Sequence, residues 1–150
     1  MMSCFLFRWD VGTRRCIERF STNEATTTAS LAFSSGTLAA GCESGVVKLY
    51  STSNSGSGIQ SIRSIMNLQT SVDSLQFNHD GQLLAMASRF SKNSLRILHV
   101  PTRSVFGNWP TSKSPLKFVF ATDFSPGSRY LTIGNDSGAC LLYRLRAFEK

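Results

Sequence analysis

Histidine and cysteine, the side chains that most often ligate zinc, are scarce in this chain. Its 150 residues include only two histidines and four cysteines. Cys4, Cys16, Cys42 and Cys140 form no Cys-x-x-Cys pair and have no histidine at zinc-ligand spacing, so the pattern implies no metal and four reduced thiols of an intracellular protein. No Gly-rich phosphate loop, His-Glu-x-x-His helix or Gly-x-Ser-x-Gly elbow occurs, which removes the commonest enzyme signatures and leaves no cofactor to expect. Long apolar runs are missing too. Cys4 to Phe7 is shorter than the core of a signal peptide, and no stretch approaches the ~20 residues of a membrane span. A soluble, non-secreted protein is expected, in which the Asn135-Asp136-Ser137 glycosylation pattern is accidental.

Acidic residues are the minority, 9 against 16 lysines and arginines, giving a net charge of +7 and a pI near 9.7. That balance favours acidic partners, of which nucleic acid is the commonest. The bland reading is solubility charge spread over loops, because Arg14-Arg15 is the longest basic run. Two groups, Arg89, Lys92, Arg96 and Arg103, or Arg129, Arg144, Arg146 and Lys150, would matter only if the fold brought each to one rim.

Against these absences stands a repeat. An apolar run ending in Trp9-Asp10, then Gly45 to Tyr50 (GVVKLY), Ser94 to His99 (SLRILH) and Gly138 to Tyr143 (GACLLY) are four copies of one strand. Their aromatic ends lie 41, 49 and 44 residues apart, the period of WD-repeat propeller blades. A second set of strands lies out of phase: residues 29–34, 72–78 and 121–125. Each alternates apolar and polar residues as a half-buried strand does. Each is followed by a turn cue (Ser35-Gly36, Asp80-Gly81, Pro126-Gly127) and then by a strand of small apolar residues. Ala39, Ala40, Ala85, Ala87 and Gly134 suit the crowded interior near a propeller axis.

The expected fold is therefore all-β, a partial WD-repeat β-propeller of about three to four blades whose ring this chain alone does not close. Residues 1–20 supply a last inner strand and an outer strand. Whole blades follow over residues 28–66 and 72 to about 108, then a blade without its outer strand over residues 118–145. Residues 1–150 are read as the C-terminal part of a single propeller with no second domain, ending just after an inner strand because ring closure commonly draws its final strand from elsewhere. Self-association is the other way to cover the open edges. Ser51 to Gly58 (STSNSGSG) is expected as a mobile loop, and residues 21–28 and 110–115 as linkers within and between blades.

Chemistry is hard to find on this frame. His79 falls in a predicted turn, Asn78-His79-Asp80-Gly81, where a turn role outweighs a ligand role. His99 is read as a half-buried packing residue, and Asp73 and Asp123 as equivalent structural positions. Two segments exceed repeat grammar. In the first, Asn108-Trp109-Pro110, the proline cannot continue a central strand, and Trp109 reads either as a wedge between blades or as a partner anchor. The second runs Phe124-Ser125-Pro126-Gly127 and on to Gly134-Asn135-Asp136-Ser137-Gly138.

These segments, together with Leu95 to Pro101, Arg8-Trp9-Asp10, Arg14-Arg15-Cys16 and Ser44 to Val47, resemble the C-terminal end of the U-three small nucleolar RNA-associated protein eighteen family. The resemblance covers nearly the whole chain, and the Asn-Trp-Pro block with its LRILH strand is its specific part. It implies a non-catalytic WD-repeat scaffold of the small-subunit processome, in the nucleus and nucleolus, that supports pre-ribosomal RNA processing. Its implied partners are other WD-repeat processome proteins and the pre-ribosomal ribonucleoprotein with its small nucleolar RNA, direct RNA contact being left open. Neither a membrane nor a small-molecule substrate is implied. Family members also carry an N-terminal extension, absent here, that recruits an RNA helicase. Trp9, Asp10, Asn108, Trp109, Pro110, Phe124, Ser125, Pro126, Gly134 and Asn135 are the candidate partner-contact or blade-signature residues. Generic adaptor work in another assembly is the alternative. A phosphoinositide-binding propeller would have to rely on Arg14-Arg15 alone.

Overall fold

Strands, and no α-helix, make up the computed structural model, which describes residues 4–22, 27–52 and 58–146. Parts of three expected segments, residues 53–57 of the serine-glycine loop, residues 23–26 of the first linker and Lys150, lie outside the described residues.

Four antiparallel sheets follow one another along the chain. Sheet A pairs β1 (Phe5–Asp10) with β2 (Arg15–Ser21). Sheet B is the meander β3 (Thr28–Ser34), β4 (Thr37–Cys42), β5 (Val47–Ser51) and β6 (Gln60–Ile65). Sheet C repeats it with β7 (Ser74–Phe77), β8 (Leu83–Ala87), β9 (Leu95–His99) and β10 (Ser104–Val105). Sheet D has three strands, β11 (Val119–Phe124), β12 (Tyr130–Asn135) and β13 (Cys140–Arg144). The first strands touch across sheets, β3 against β7 and β7 against β11, so they form the innermost row of a β-propeller whose ring these sheets do not close.

Burial follows from sheets standing face to face. β8 reads Leu-Leu-Ala-Met-Ala and is buried at every position. Its alternate side chains serve two interfaces, because successive residues of a strand point to opposite faces. Leu84 and Met86 join Ala39, Val47, Leu49 and Phe77 between sheets B and C. Leu83, Ala85 and Ala87 join Val119, Phe124, Leu131 and Ile133 between sheets C and D. A smaller cluster of Leu6, Ala40 and Tyr50 holds sheet A to sheet B. A strand buried on both faces needs apolar residues throughout, which is why β8 has no polar alternation.

Three sequence expectations change here. The small residues Ala39, Ala40, Ala85, Ala87 and Gly134 lie on β4, β8 and β12, one strand out from the axis, where they let neighbouring sheets approach. The pairing register also moves one repeat mark. Tyr50 faces Leu38, Leu98 faces Leu84 and Tyr143 faces Leu131, so Leu98 holds the position that spacing gives to His99. A slip of one residue sends a side chain to the opposite face, and His99 accordingly leaves the core to hydrogen-bond Thr102 Oγ1 through Nδ1 at 2.7 Å. Asp73 and Asp123 are not equivalent. Phe77 and Phe124 share a register position through Leu84 and Leu131, which leaves Asp73 four residues before that mark and Asp123 one.

Among the described residues no disulfide joins the four cysteines: Cys42 is buried, Cys4 partly buried, Cys16 and Cys140 exposed. A hydrogen bond with Thr28 lowers the Cys4 thiol below its usual value.

Candidate functional site

The candidate residues fall into three separate places. Trp9 and Asp10 end β1 at the hairpin of sheet A. An irregularity between Arg8 and Trp9 matches one between Leu49 and Tyr50, so Trp9 is the sheet A counterpart of Tyr50. Tyr50 is 4% exposed and Trp9 is 62% exposed. Asp10 organises the turn that follows. Its carboxylate accepts bonds from the Thr13 hydroxyl at 2.5 Å, the Thr13 amide at 3.1 Å and the Gly12 amide at 3.3 Å. These bonds, Thr13's first, hold its carboxyl below the ordinary aspartate value.

Asn108, Trp109 and Pro110 lie where sheets C and D diverge. Trp109 is half-buried, meets the Tyr143 ring edge-on at 5.1 Å and packs against the C–D core. Its peptide bond to Pro110 is cis. With Asn108, Phe106, Leu145, Arg144 and Arg146 it lines an apolar groove of about 320 Å³. Trp109 therefore does the work of a wedge between blades and still shows a face to the groove.

Phe124, Ser125, Pro126, Gly134 and Asn135 belong to sheet D. Phe124 is buried in the C–D core. Ser125 closes its turn by accepting the Tyr130 amide on Oγ at 3.1 Å and the Ser128 amide on its carbonyl at 2.8 Å. Pro126 is exposed at the same turn. Asn135 Oδ1 gathers the Ser137 amide, the Ser137 hydroxyl and the Ala139 amide at 3.2, 2.7 and 3.1 Å. An Asn side chain satisfying successive backbone donors is a turn device. Gly134 aligns with Gly41 and Ala87, three residues beyond Leu131, Leu38 and Leu84.

The basic groups converge only in part. Arg89 and Lys92 stand on the β8–β9 turn at one rim, and Arg96 leans toward that rim by donating to the Asn93 carbonyl at 3.1 Å. Arg103 lies on the β9–β10 turn at the opposite rim. Arg129, Arg144 and Arg146 do cluster at that opposite rim, where the Leu145 amide donates to the Arg129 carbonyl at 2.7 Å.

Sequence reasoning missed the aromatic half of the first rim. Phe90 and Phe120 are 62% and 55% exposed. The Arg89 guanidinium lies 5.9 Å from the Phe90 ring and 6.0 Å from the Phe120 ring, and Lys92 Nζ lies 5.9 Å from the Phe118 ring. Phenylalanines spread over residues 90–120 carry no period that marks them as one surface, so only the β8–β9 turn packed against the start of β11 reveals it. Cations over aromatic faces attract the ring quadrupole, worth about 0.5–1 kcal/mol at exposed sites. Asp73 holds Arg89 in place, accepting its amide at 3.1 Å and its Nε.

Comparison with known proteins gives a consistent result. No family model matches the chain. A U3 small nucleolar RNA-associated protein 18 homolog of Arabidopsis thaliana is 37% identical over 147 residues, covering 96% of this chain and 27% of the relative. The human homolog is 38% identical over 152 residues, again 96% and 27%. The Saccharomyces cerevisiae U3 small nucleolar RNA-associated protein 18 is 43% identical over 113 residues, 74% of this chain and 19% of the relative. The chain thus spans about a quarter of the length of the curated relatives it matches over nearly its whole length. Among solved structures, a chain of the mitotic checkpoint complex superimposes with a TM-score of 0.72 at 18% identity, over 98% of this chain and 43% of the other, which shows the propeller fold and nothing more.

Proposed function

Because the chain belongs to the U3 small nucleolar RNA-associated protein 18 family, we propose that it is part of a non-catalytic WD-repeat scaffold of the small-subunit processome, acting in the nucleolus in pre-ribosomal RNA processing. The similarity to relatives named for U3 small nucleolar RNA, spread over 96% of the chain, is the observation that carries this reading. Blades built as contact surfaces, with an exposed mixture of aromatic and basic residues on one rim, are consistent with work done by binding.

We further propose that residues 1–150 form the C-terminal part of one propeller whose ring is completed by other chain of a longer protein. Among the described residues, sheets B and C have four strands each, while sheet D has three and sheet A two. β13 is thus the outermost described strand of sheet D, beside the Trp109 groove, and an edge of this kind is a template for one more strand. Other WD-repeat proteins of the processome are then its neighbours.

Immunoprecipitation from native nuclear extract with an antibody to residues 101–115 tests both statements. Recovery of U3 small nucleolar RNA and pre-ribosomal RNA on a protein well above 16.5 kDa is expected. A captured protein of 16.5 kDa with neither RNA would overturn both and leave a generic adaptor.

A further inference from the structure

We propose that the rim formed by the β8–β9 turn and the start of β11 is a binding site for single-stranded RNA, with bases stacking on Phe90 and Phe120 and phosphates held by Lys92 and Lys117. The proposal rests on the processome reading and assigns a site within it.

Exposure of Phe90 is not a consequence of a missing blade. It belongs to sheet C, which has sheet B on one side and sheet D on the other, yet its ring remains 62% exposed. Phe120 is 55% exposed, and the Arg89 guanidinium lies 5.9 Å from the Phe90 ring centre and 6.0 Å from that of Phe120. Lys92 reaches the Phe118 ring beside them. Aromatic faces with cations interleaved suit a strand of unpaired nucleotides, because every base offers a π-face and every linkage a phosphate.

The site is also held in shape before any ligand arrives. The Asn93 amide donates to the Lys117 carbonyl at 2.8 Å and the Lys117 amide donates back to Asn93 Oδ1 at 3.1 Å, clamping the turn to the segment that leads into β11. Both residues take positive φ, 56° and 54°, a conformation uncommon for lysine and maintained here by the reciprocal pair. Of the nearby carboxylates, one is ion-paired and the other accepts a backbone amide. Asp73 is bound to Arg89, and Asp136 Oδ1 accepts the Phe118 amide at 3.3 Å. Among the described residues, no carboxylate stands within ion-pair distance of Lys92 or Lys117. Lys92 and Lys117, both exposed, therefore carry the positive charge beside the rings. An RNA strand fits this better than an apolar peptide, which would bury the lysines without phosphates to meet them.

The test is ultraviolet crosslinking of the native particle, with mass spectrometry of the crosslinked peptides, on the wild-type protein and on Phe90→Ala, Lys92→Ala and the conservative Phe90→Tyr and Lys92→Arg. Nucleotide adducts on residues 88–93 or 117–121 are expected, lost in Phe90→Ala and retained in Phe90→Tyr. With the purified protein and a twelve-nucleotide oligouridine probe, Phe90→Ala is expected to weaken binding about 5- to 150-fold, the range of one base–aromatic stack. Lys92→Ala is expected to reduce the slope of log affinity against log salt by about 0.7, one single-strand phosphate contact, and Lys92→Arg to keep it. U3 small nucleolar RNA recovered normally with adducts elsewhere but none on this rim would overturn the site and leave the processome reading standing. Protein–protein crosslinks at residues 88–93 in place of RNA adducts would overturn it in favour of a protein partner. Absence of U3 RNA from the wild-type particle would overturn the processome reading first and the site with it.

Discussion

Sheet C and its outer neighbours are built from one repeat and differ in how much of it they hide. Of the matching strands β9 and β1, β9 buries Leu95, Ile97 and Leu98, whereas β1 buries only Leu6 and leaves Phe7 and Trp9 exposed. β8 and its counterpart β12 differ in the same way: β8 is buried at every position, while β12 has Leu131 and Ile133 fully buried on the side facing sheet C and Tyr130 exposed. Position within a blade decides which way a side chain points. Whether that direction is core or surface depends on the next blade. The comparison shows that burial in a propeller belongs to the interface between repeats and not to the repeat itself.

Removing side chains at paired positions breaks the comparison most directly. Ile97 is buried in the C–D core at the register position that Leu142 holds in sheet D, and Ile97→Ala is expected to cost about 2–5 kcal/mol through lost transfer energy and the cavity left behind. Leu142 lies on the open face of β13 at 63% exposure, and Leu142→Ala is expected to stay within about 0.5 kcal/mol. Urea denaturation of both variants measures the difference. Equal costs would mean that the face of sheet D is covered as fully as that of sheet C.

Glycine gives a sharper version at lower cost. Gly41 and Gly134 hold the same place in β4 and β12. A Cβ at Gly41 would stand 2.4 Å from Ser30 Oγ and 2.8 Å from the Val72 carbonyl oxygen, against backbone that cannot swing aside. At Gly134 the nearest atom, Ala121 Cβ, is 3.8 Å away, an ordinary contact. Gly41→Ala is expected to destabilise by about 1–3 kcal/mol through overpacking. Gly134→Ala is expected to be neutral or to stabilise by up to about 1 kcal/mol, since Ala restricts the unfolded chain. Thermal midpoints of the two variants read out the sign at each site, and a destabilised Gly134→Ala would show that a blade packs there.

The two tryptophans extend the pattern to the candidate residues. Trp109→Ala removes the edge contact with Tyr143 and is expected to cost about 1–2 kcal/mol, less than for a fully buried ring because Trp109 keeps a solvent-facing side. Trp9→Ala, at 62% exposure, is expected to leave stability within about 0.5 kcal/mol. Denaturant midpoints compare them. A large loss at Trp9 would place a partner surface against sheet A.

Much of the architecture was legible because the repeat writes strand, turn and strand in the same order each time. Asp80-Gly81 and Pro126-Gly127 marked two hairpins, and the boundaries of sheets B, C and D lie within a few residues of those read from the chain. The mistakes were of register. His99 looks like the aromatic end of its strand, but Leu98 faces the core, because inward direction is set by pairing with Leu84 and not by distance from Tyr50. The rim of Phe90, Phe118 and Phe120 was invisible for a related reason. Its residues share a surface only after sheets C and D pack together, and nothing in local composition records that packing. Trp109 was legible as an irregularity, since a proline after it interrupts the strand, but which blades it joins was not.

The smallest expected effect lies at the exposed Asp10 turn that joins β1 to β2. Thr13's hydroxyl and amide stabilise the carboxylate and depress its folded value below 3.8. A depressed folded value means that the unfolded chain binds its proton first as pH falls. The contribution is therefore fully present above the unfolded aspartate value and is lost as pH drops through the lower folded value. An NMR titration of the Asp10 carboxyl is expected to give a midpoint below 3.8 in the wild-type protein and to move toward that ordinary value in Thr13→Ala. Thr13→Ala leaves the Thr13 amide bond and the Gly12 bond in place, so the shift should shrink without vanishing. A midpoint unchanged by Thr13→Ala would show that the backbone amides alone organise the turn, and that the hairpin of sheet A owes its shape to the chain and not to the threonine side chain.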